Sequence, residues 1–215
     1  MHPRKNSSNW MHDENGVFID IHRELREYHE VLSFFKRIQR ESSVKEYCNG
    51  SNAGGRWIYQ IYSDEFIDEI AGIINELLNS NNYKGPILEV MSGDGKLSEF
   101  LRPKVNVQTI VTDAKTSRDN IEFPKWIETK DAIEAIDQYN PSIVVMCWEP
   151  FYSDVSLDVI KRRIPTIWIG DPSSSAVSTG LSEMDHKQII AQYALCRHDD
   201  FLTGEYRTVI RLFNS

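Results

Sequence analysis

The stretch Pro86-Ile87-Leu88-Glu89-Val90-Met91-Ser92-Gly93-Asp94-Gly95-Lys96-Leu97-Ser98 leaves this chain few folds to adopt. An apolar run comes first and reads as a short strand. A turn holding Gly93 and Gly95 follows, and then residues that open a helix. Glycines let the backbone turn sharply and let a ligand come close to it. The helix start adds unpaired N–H groups at the same corner. Strand, glycine turn and helix in that order form a nucleotide-binding corner of an open α/β sheet, where ligands sit beyond the carboxyl ends of the strands. Glu89 lies near that end.

The sequence after position 83 continues the pattern. Strands are predicted at 87–91, 107–113, near 126–128, at 143–148 and at 166–170, with helices at 95–102, 131–138, 155–163 and 182–193. The run Ile143-Val144-Val145-Met146-Cys147-Trp148 is apolar throughout, as a central parallel strand buried on both faces requires. Two strand-like runs, 194–201 and 206–213, flank Leu202-Thr203-Gly204-Glu205, which signals a closing antiparallel hairpin. The expected fold is α/β: a three-layer Rossmann-like sandwich around a mixed seven-stranded sheet with a C-terminal antiparallel hairpin.

Ahead of this lies a helical extension. Residues 1–16 are polar and expected to be poorly ordered. Ile21, Leu25, Tyr28, Leu32 and Phe35 recur at helical spacing and predict an amphipathic helix. The glycines Gly50, Gly54 and Gly55 predict a flexible loop, followed by the aromatics Trp57, Tyr59 and Tyr62. A second helix opens at Ser63 or Asp64, either of which can cap it, and carries its apolar face from Phe66 to Leu78. The expected division is a tail at 1–16, an extension and possible lid at 17–82, and the sheet domain at 83–215.

The net charge of −8 argues against a general nucleic-acid or membrane-surface binder. No apolar run approaches the length of a membrane span, and the polar N-terminus predicts no signal peptide. Cys48, Cys147 and Cys196 are widely spaced and form no CxxC, the usage of a reduced, cytoplasmic protein.

With these residues in view, the chain from 83 to about 213 resembles the class I S-adenosylmethionine-dependent methyltransferases. In that family the first strand ends in an acid followed by a glycine-rich loop. Leu88-Glu89-Val90-Met91-Ser92-Gly93-Asp94-Gly95 matches it, with Glu89 at the acid, Gly93 and Gly95 at the last two glycines, and Met91 at the first. The resemblance implies S-adenosylmethionine as cofactor, S-adenosylhomocysteine as product, and a cofactor site at Glu89, Gly93, Asp94, Gly95, Asp113, Asp131, Ala132 and Trp148. Asp113 stands where the family holds the ribose hydroxyls, and Asp131 followed by Ala132 where it contacts adenine. The loop Cys147-Trp148-Glu149-Pro150-Phe151-Tyr152 stands where the family borders the methyl group. Its Pro150 and Phe151 resemble part of the Asp/Asn-Pro-Pro-aromatic motif of amino-methyltransferases. The C-terminal hairpin matches the family's reversed seventh strand.

The chemistry suits the residue types. A sulfonium methyl is already electrophilic, so the protein has to align an acceptor and exclude water. An ionised carboxylate accepts from both ribose hydroxyls, the role expected of Asp113. Trp148 and Tyr152 are candidates for the pocket wall, and Glu149 or Asp171 for orienting or deprotonating the acceptor. Trp57, Tyr59 and Tyr62 are candidates for a lid hinged on Gly50, Gly54 and Gly55. Structural roles are open to the same residues. Glu89 can tie down the turn, Asp131 can cap a helix, Trp148 can end a buried strand, and the three aromatics can pack. His22 and His29 read as a solvated helix face, and His198-Asp199-Asp200 as charges that discourage edge pairing. The acceptor is a small molecule or a protein, with neither nucleic acid nor membrane expected. The alternative is a catalytically inactive binding or scaffold protein on the same fold. A nicotinamide-dependent oxidoreductase would need a compact GxGxxG, which the chain lacks.

Overall fold

The computed structural model of the protein describes residues 11–49, 57–81, 85–116, 123–150, 153–173 and 179–215. The described residues open in a closed turn, where His12 bridges Phe18 and the Asp13 carboxylate accepts the N–H of Asn15 and Val17. Helix α1 (Tyr28–Glu41) and the short α2 (Val44–Cys48) follow, then strand β1 (Gln60–Ile61) and helix α3 (Asp64–Asn81).

The helix predicted from Ile21 starts only at Tyr28. Asp20 accepts the N–H of His22 through its side chain and that of Arg23 through its carbonyl, and this local turn competes with helix. The buried stripe of α1 is accordingly Val31, Phe34, Phe35 and Ile38. It packs with Tyr47, Cys48, Ile58 and Ile61, and with Leu195 and Phe201 from the far end of the chain. Helix α3 begins as its sequence demands. The Ser63 hydroxyl accepts the N–H of Phe66 at 3.3 Å, and Asp64 and Glu65 sit at the positive end of the helix. Glu65 also reaches across to accept the N–H of Tyr28 at 2.7 Å and so fixes the start of α1.

The remaining elements are β2 (Ile87–Val90), α4 (Lys96–Leu101), β3 (Thr109–Asp113), β4 (Glu128–Thr129), α5 (Ala132–Tyr139), β5 (Ile143–Cys147), α6 (Val155–Lys161), β6 (Thr166–Gly170), α7 (Thr179–Glu183), β7 (Lys187–Ile189), β8 (Leu195–Cys196) and β9 (Val209–Phe213). Seven of the strands form one sheet in the order β4-β3-β2-β5-β6-β9-β7, in which β9 alone runs opposite to the other six. Alternate residues feed two cores, as a pleated strand covered on both faces must. Ile87, Val145, Ile167, Ile169 and Ile210 meet α3 and α4 on one face. Leu88, Val90, Val144, Met146, Trp168 and Phe213 meet α5, α6 and α7 on the other. This is the three-layer Rossmann-like α/β arrangement expected from the sequence.

The C-terminal antiparallel pair is present with a different first arm. Lys187–Ile189, expected to be helical, pairs with β9. Leu181 and Met184 are three apart, but the next apolar residue, Ile189, is five further on, so the helical stripe ends with α7. The exposed Lys187 and Gln188 suit a sheet edge. The run 194–201 does not join this sheet. Its β8 pairs antiparallel with β1, which fastens the N-terminal helices to the C-terminal segment.

Candidate functional site

Strands β2, β3 and β4 succeed one another in one direction across the sheet, and β5 and β6 in the other. The order therefore reverses between β2 and β5, and a crevice opens beyond the carboxyl ends of strands at such a switch point.

The first wall is the turn after β2. Three of its five residues are left-handed: Met91 at φ 53°, Gly93 at 58° and Gly95 at 71°. The two glycines differ in surroundings. A Cβ on Gly95 would stand 2.5 Å from the Trp126 ring and 2.9 Å from Ile127 Cδ1. A Cβ on Gly93 would meet nothing within 4 Å, so this glycine faces open space. Asp113, at the end of β3, accepts the N–H of Gly93 at 2.9 Å on one oxygen and that of Lys115 at 2.6 Å on the other. Each oxygen keeps a second lone pair.

Glu89 points to the α4 side and is buried beneath the first turn of that helix, where its Oε2 accepts the N–H of Ser98 at 3.1 Å. Burial pushes its carboxyl up to about 8, against the lowering effect of the Ser98 bond. Asp131 caps α5, accepting the N–H of Glu134 at 2.8 Å, and is exposed, with Ala132 buried behind it.

The second wall follows β5. Trp148 is also left-handed, at φ 61°. Its main-chain N–H donates to Ile169 O, and its indole Nε1 donates to Gln60 Oε1 at 2.8 Å. Gln60 in turn donates to Leu195 O and accepts from Thr208 Oγ1. Around the indole stand Tyr59, with ring centroids 5.7 Å apart, and His198, edge-on at 5.3 Å. Glu149 is buried and accepts the N–H of Ser156 at 3.0 Å, which fixes the start of α6. Asp171, after β6, is buried, accepts from the Ser173 N–H and hydroxyl, and lies 3.8 Å from His198 Nδ1. Phe151, Tyr152 and the glycines at 50, 54 and 55 lie outside the described residues.

Two expectations about histidines and acids are corrected. His22 is buried rather than solvated. Its Nε2 accepts the N–H of Tyr62 at 3.1 Å, which puts the ring proton on Nδ1. His198 and Asp199 are not edge charges. Asp199 is buried and accepts the N–H groups of Cys196 and Arg207, and burial together with the charge of Arg197 pushes His198 down. Of the three aromatics before α3, Tyr62 is core, its hydroxyl 3.8 Å from Cys147 Sγ, while Trp57 and Tyr59 are half-buried beside Arg197. Sequence reading passed over Gln60 and Arg197 and gave His198, the neighbour of Asp171, no part in the site. No spacing rule joins β1 to residues 195–208, and the strand pairing of Gln60 with Cys196 is what brings them together.

Among the described residues no group of three or more His, Cys, Asp or Glu is placed to hold a metal ion, and no helix is long and apolar enough to cross a membrane. No protein-family model and no curated protein matches the sequence. Among solved structures, the chain is similar to a proposed SAM-dependent methyltransferase from Streptococcus mutans, at 16% identity and a TM-score of 0.37 over 66% of this chain and 48% of that one. A proposed methyltransferase complexed with SAH gives 16% identity and a TM-score of 0.36 over the same shares. The chain thus spans about half the length of these two. Magnesium protoporphyrin IX methyltransferase from Synechocystis PCC 6803, with bound SAM, gives 12% identity and a TM-score of 0.37 over 80% of this chain and 95% of that one. At such scores the fold assignment rests on the strand order of the chain itself.

Proposed function

We propose that the chain binds S-adenosylmethionine at the switch point between β2 and β5 and transfers its methyl group to a small-molecule or protein acceptor. One observation carries the reading most. Two bulky residues, Met91 and Trp148, are held left-handed at the adjacent ends of the paired strands β2 and β5. Such backbone costs roughly 1–3 kcal/mol per residue and gathers where a site needs it.

When bound, S-adenosylmethionine supplies a methyl on a sulfonium. The chain's own residues would do the rest. Gly93, with open space before it, admits a ligand against the backbone. Asp113 offers its two remaining lone pairs to the ribose hydroxyls. Glu89, Asp94 and Gly95 shape the turn, and Asp131 with Ala132 borders the adenine. Trp148, fixed by Gln60, walls the methyl region, and Glu149 orients the acceptor. The setting is cytoplasmic.

A second reading, cofactor binding without turnover, is favoured by Glu149, whose Oε1 is engaged by the Ser156 N–H. Calorimetric titration with S-adenosylmethionine and with S-adenosylhomocysteine tests both. The expected result is micromolar binding, lost in Asp113→Ala with the circular-dichroism spectrum unchanged. No binding by a folded protein sinks the cofactor site. Binding with no S-adenosylhomocysteine formed from a broad acceptor panel favours the second reading.

A further inference from the structure

A cleft of about 630 Å³ opens between the α1–α2 junction and the segment after β8. Ser42, Lys45, Arg197, His198, Asp199 and Arg207 line it. Three of these carry fixed positive charge, in a chain whose net charge is −8. The acids nearby are engaged with their own neighbours. Asp199 accepts from the N–H of Cys196 at 2.7 Å and of Arg207 at 2.9 Å, Glu46 accepts from the Ser42 hydroxyl at 3.0 Å, and Glu205 meets the exposed Arg207 at 3.3 Å.

Arg197 is the anomaly. It is only 7% exposed. Its guanidinium lies over Tyr59 at 4.7 Å and Trp57 at 5.8 Å, and its Nη2 donates to Asn49 Oδ1. Nε and Nη1 are buried with no hydrogen-bond acceptor among the described residues, and no described carboxylate lies within 4 Å of the group. The neighbouring stretch 50–56 contains no acid in its sequence. An arginine stays charged when buried, and a buried charge without a counter-charge costs several kcal/mol. Two parallel N–H donors on a planar fork match a carboxylate or a phosphate, and the second N–H of Nη2 forms such a pair with that of Nε or Nη1. The cleft has the size of a small-molecule site. It also adjoins the switch point, because Arg197 donates its N–H to Tyr59 O, and both Tyr59 and His198 pack on the Trp148 indole.

We propose that this cleft binds the carboxylate or phosphate group of a small organic anion through Arg197, Lys45 and Arg207, and, resting on the methyl-transfer reading, that this anion is the methyl acceptor. Arg197 supplies the buried fork and Lys45 and Arg207 the rim. Neutral His198 stands beside them as a hydrogen-bonding group, its proton affinity lowered by burial and by the charges of Arg197 and Lys45.

The test is calorimetric titration of the full chain at pH 7 with inorganic phosphate and, separately, with benzoate, at constant ionic strength. At least one probe should bind in the millimolar range or tighter, and which one binds tells phosphate from carboxylate. Lys45→Glu, on the exposed rim, should weaken binding by about tenfold, the worth of one charge-assisted hydrogen bond. Arg197→Met should abolish binding without lowering Tm in the absence of anion, since it removes a buried unpaired charge. No binding of either probe by the wild type, or binding that Lys45→Glu leaves intact, overturns the proposal. Titration of Lys45→Glu with S-adenosylmethionine separates the two readings, because cofactor affinity should be unchanged. Anion binding by a chain that does not bind S-adenosylmethionine would keep the anion site and remove the acceptor role together with the methyl-transfer reading.

Discussion

The two walls of the crevice are built in opposite ways. The wall after β2 is local: Glu89, Gly93 and Gly95 lie within seven residues of one another, and only Asp113 comes from the next strand. The wall after β5 is assembled. Trp148 takes its partners from β1 (Gln60, with Tyr59 beside it) and from residues beyond β8 (His198). A local wall is held by backbone geometry, so its variants should act on folding. An assembled wall is held by side-chain bonds between distant segments, so its variants should act on docking of the N-terminal helices.

Glu89 should give the largest effect, and one that depends on pH. Its carboxyl titrates near 8 in the folded chain, raised from the ordinary 4.5 by burial. Below pH 4.5 both states hold the proton and nothing is lost. Between 4.5 and 8 the unfolded chain releases a proton that the folded chain keeps, so stability falls as pH rises. Above 8 the loss is complete, at roughly 4–5 kcal/mol. Glu89→Gln keeps an acceptor for Ser98 and should remove this slope. Urea unfolding at pH 5 and pH 8.5 measures it, and parallel slopes in the two proteins would show that Glu89 is ionised in the fold.

Gly95→Val comes next, at roughly 3 kcal/mol, because it combines a left-handed backbone with a clash against Trp126 and Ile127. Gly93→Ala has open space and should cost only about 1 kcal/mol of backbone strain. Thermal melts of the pair test whether contact or conformation dominates the local wall. Equal losses would mean that conformation alone does.

On the assembled wall, Gln60→Leu should cost about 2 kcal/mol, since it strands the Trp148 indole N–H. The cost should appear as an early transition, in which α1 and α2 loosen before the sheet melts. Amide hydrogen exchange resolved along the chain reads this directly. One cooperative transition with uniform loss would make the two walls a single folding unit.

The same contrast explains what the sequence discloses. The sheet was legible because alternation and turn chemistry are local, and Ser63 and Asp131 cap α3 and α5 as their positions demand. The start of α1 was misplaced because the Asp20 turn overrides an apolar stripe of helical spacing that continues through it. Residues 187–189 read as helix because the open edge beside β9, which claims them, is a tertiary fact. Arg197 and His198 were invisible as site residues for the same reason. Each lies more than a hundred residues from Tyr59 or Gln60, and the β1–β8 pairing brings them together.

The smallest expected effect lies at Met91, where the walls meet. Relieving a left-handed backbone favours glycine by roughly 1–2 kcal/mol. Two losses oppose it: the extra freedom of glycine in the unfolded chain, roughly 0.5–1 kcal/mol, and the packing of a half-buried side chain against the α5–α6 core. Met91→Gly should therefore shift stability by under about 1 kcal/mol, whereas Met91→Val keeps the strain, adds a β-branch and should cost about 1–2 kcal/mol. Urea midpoints of the two variants separate the contributions. A large loss in Met91→Gly, with Met91→Val near wild type, would mean that side-chain packing holds this turn, and the distinction between a backbone-built and a contact-built wall would fail at the residue where it is sharpest.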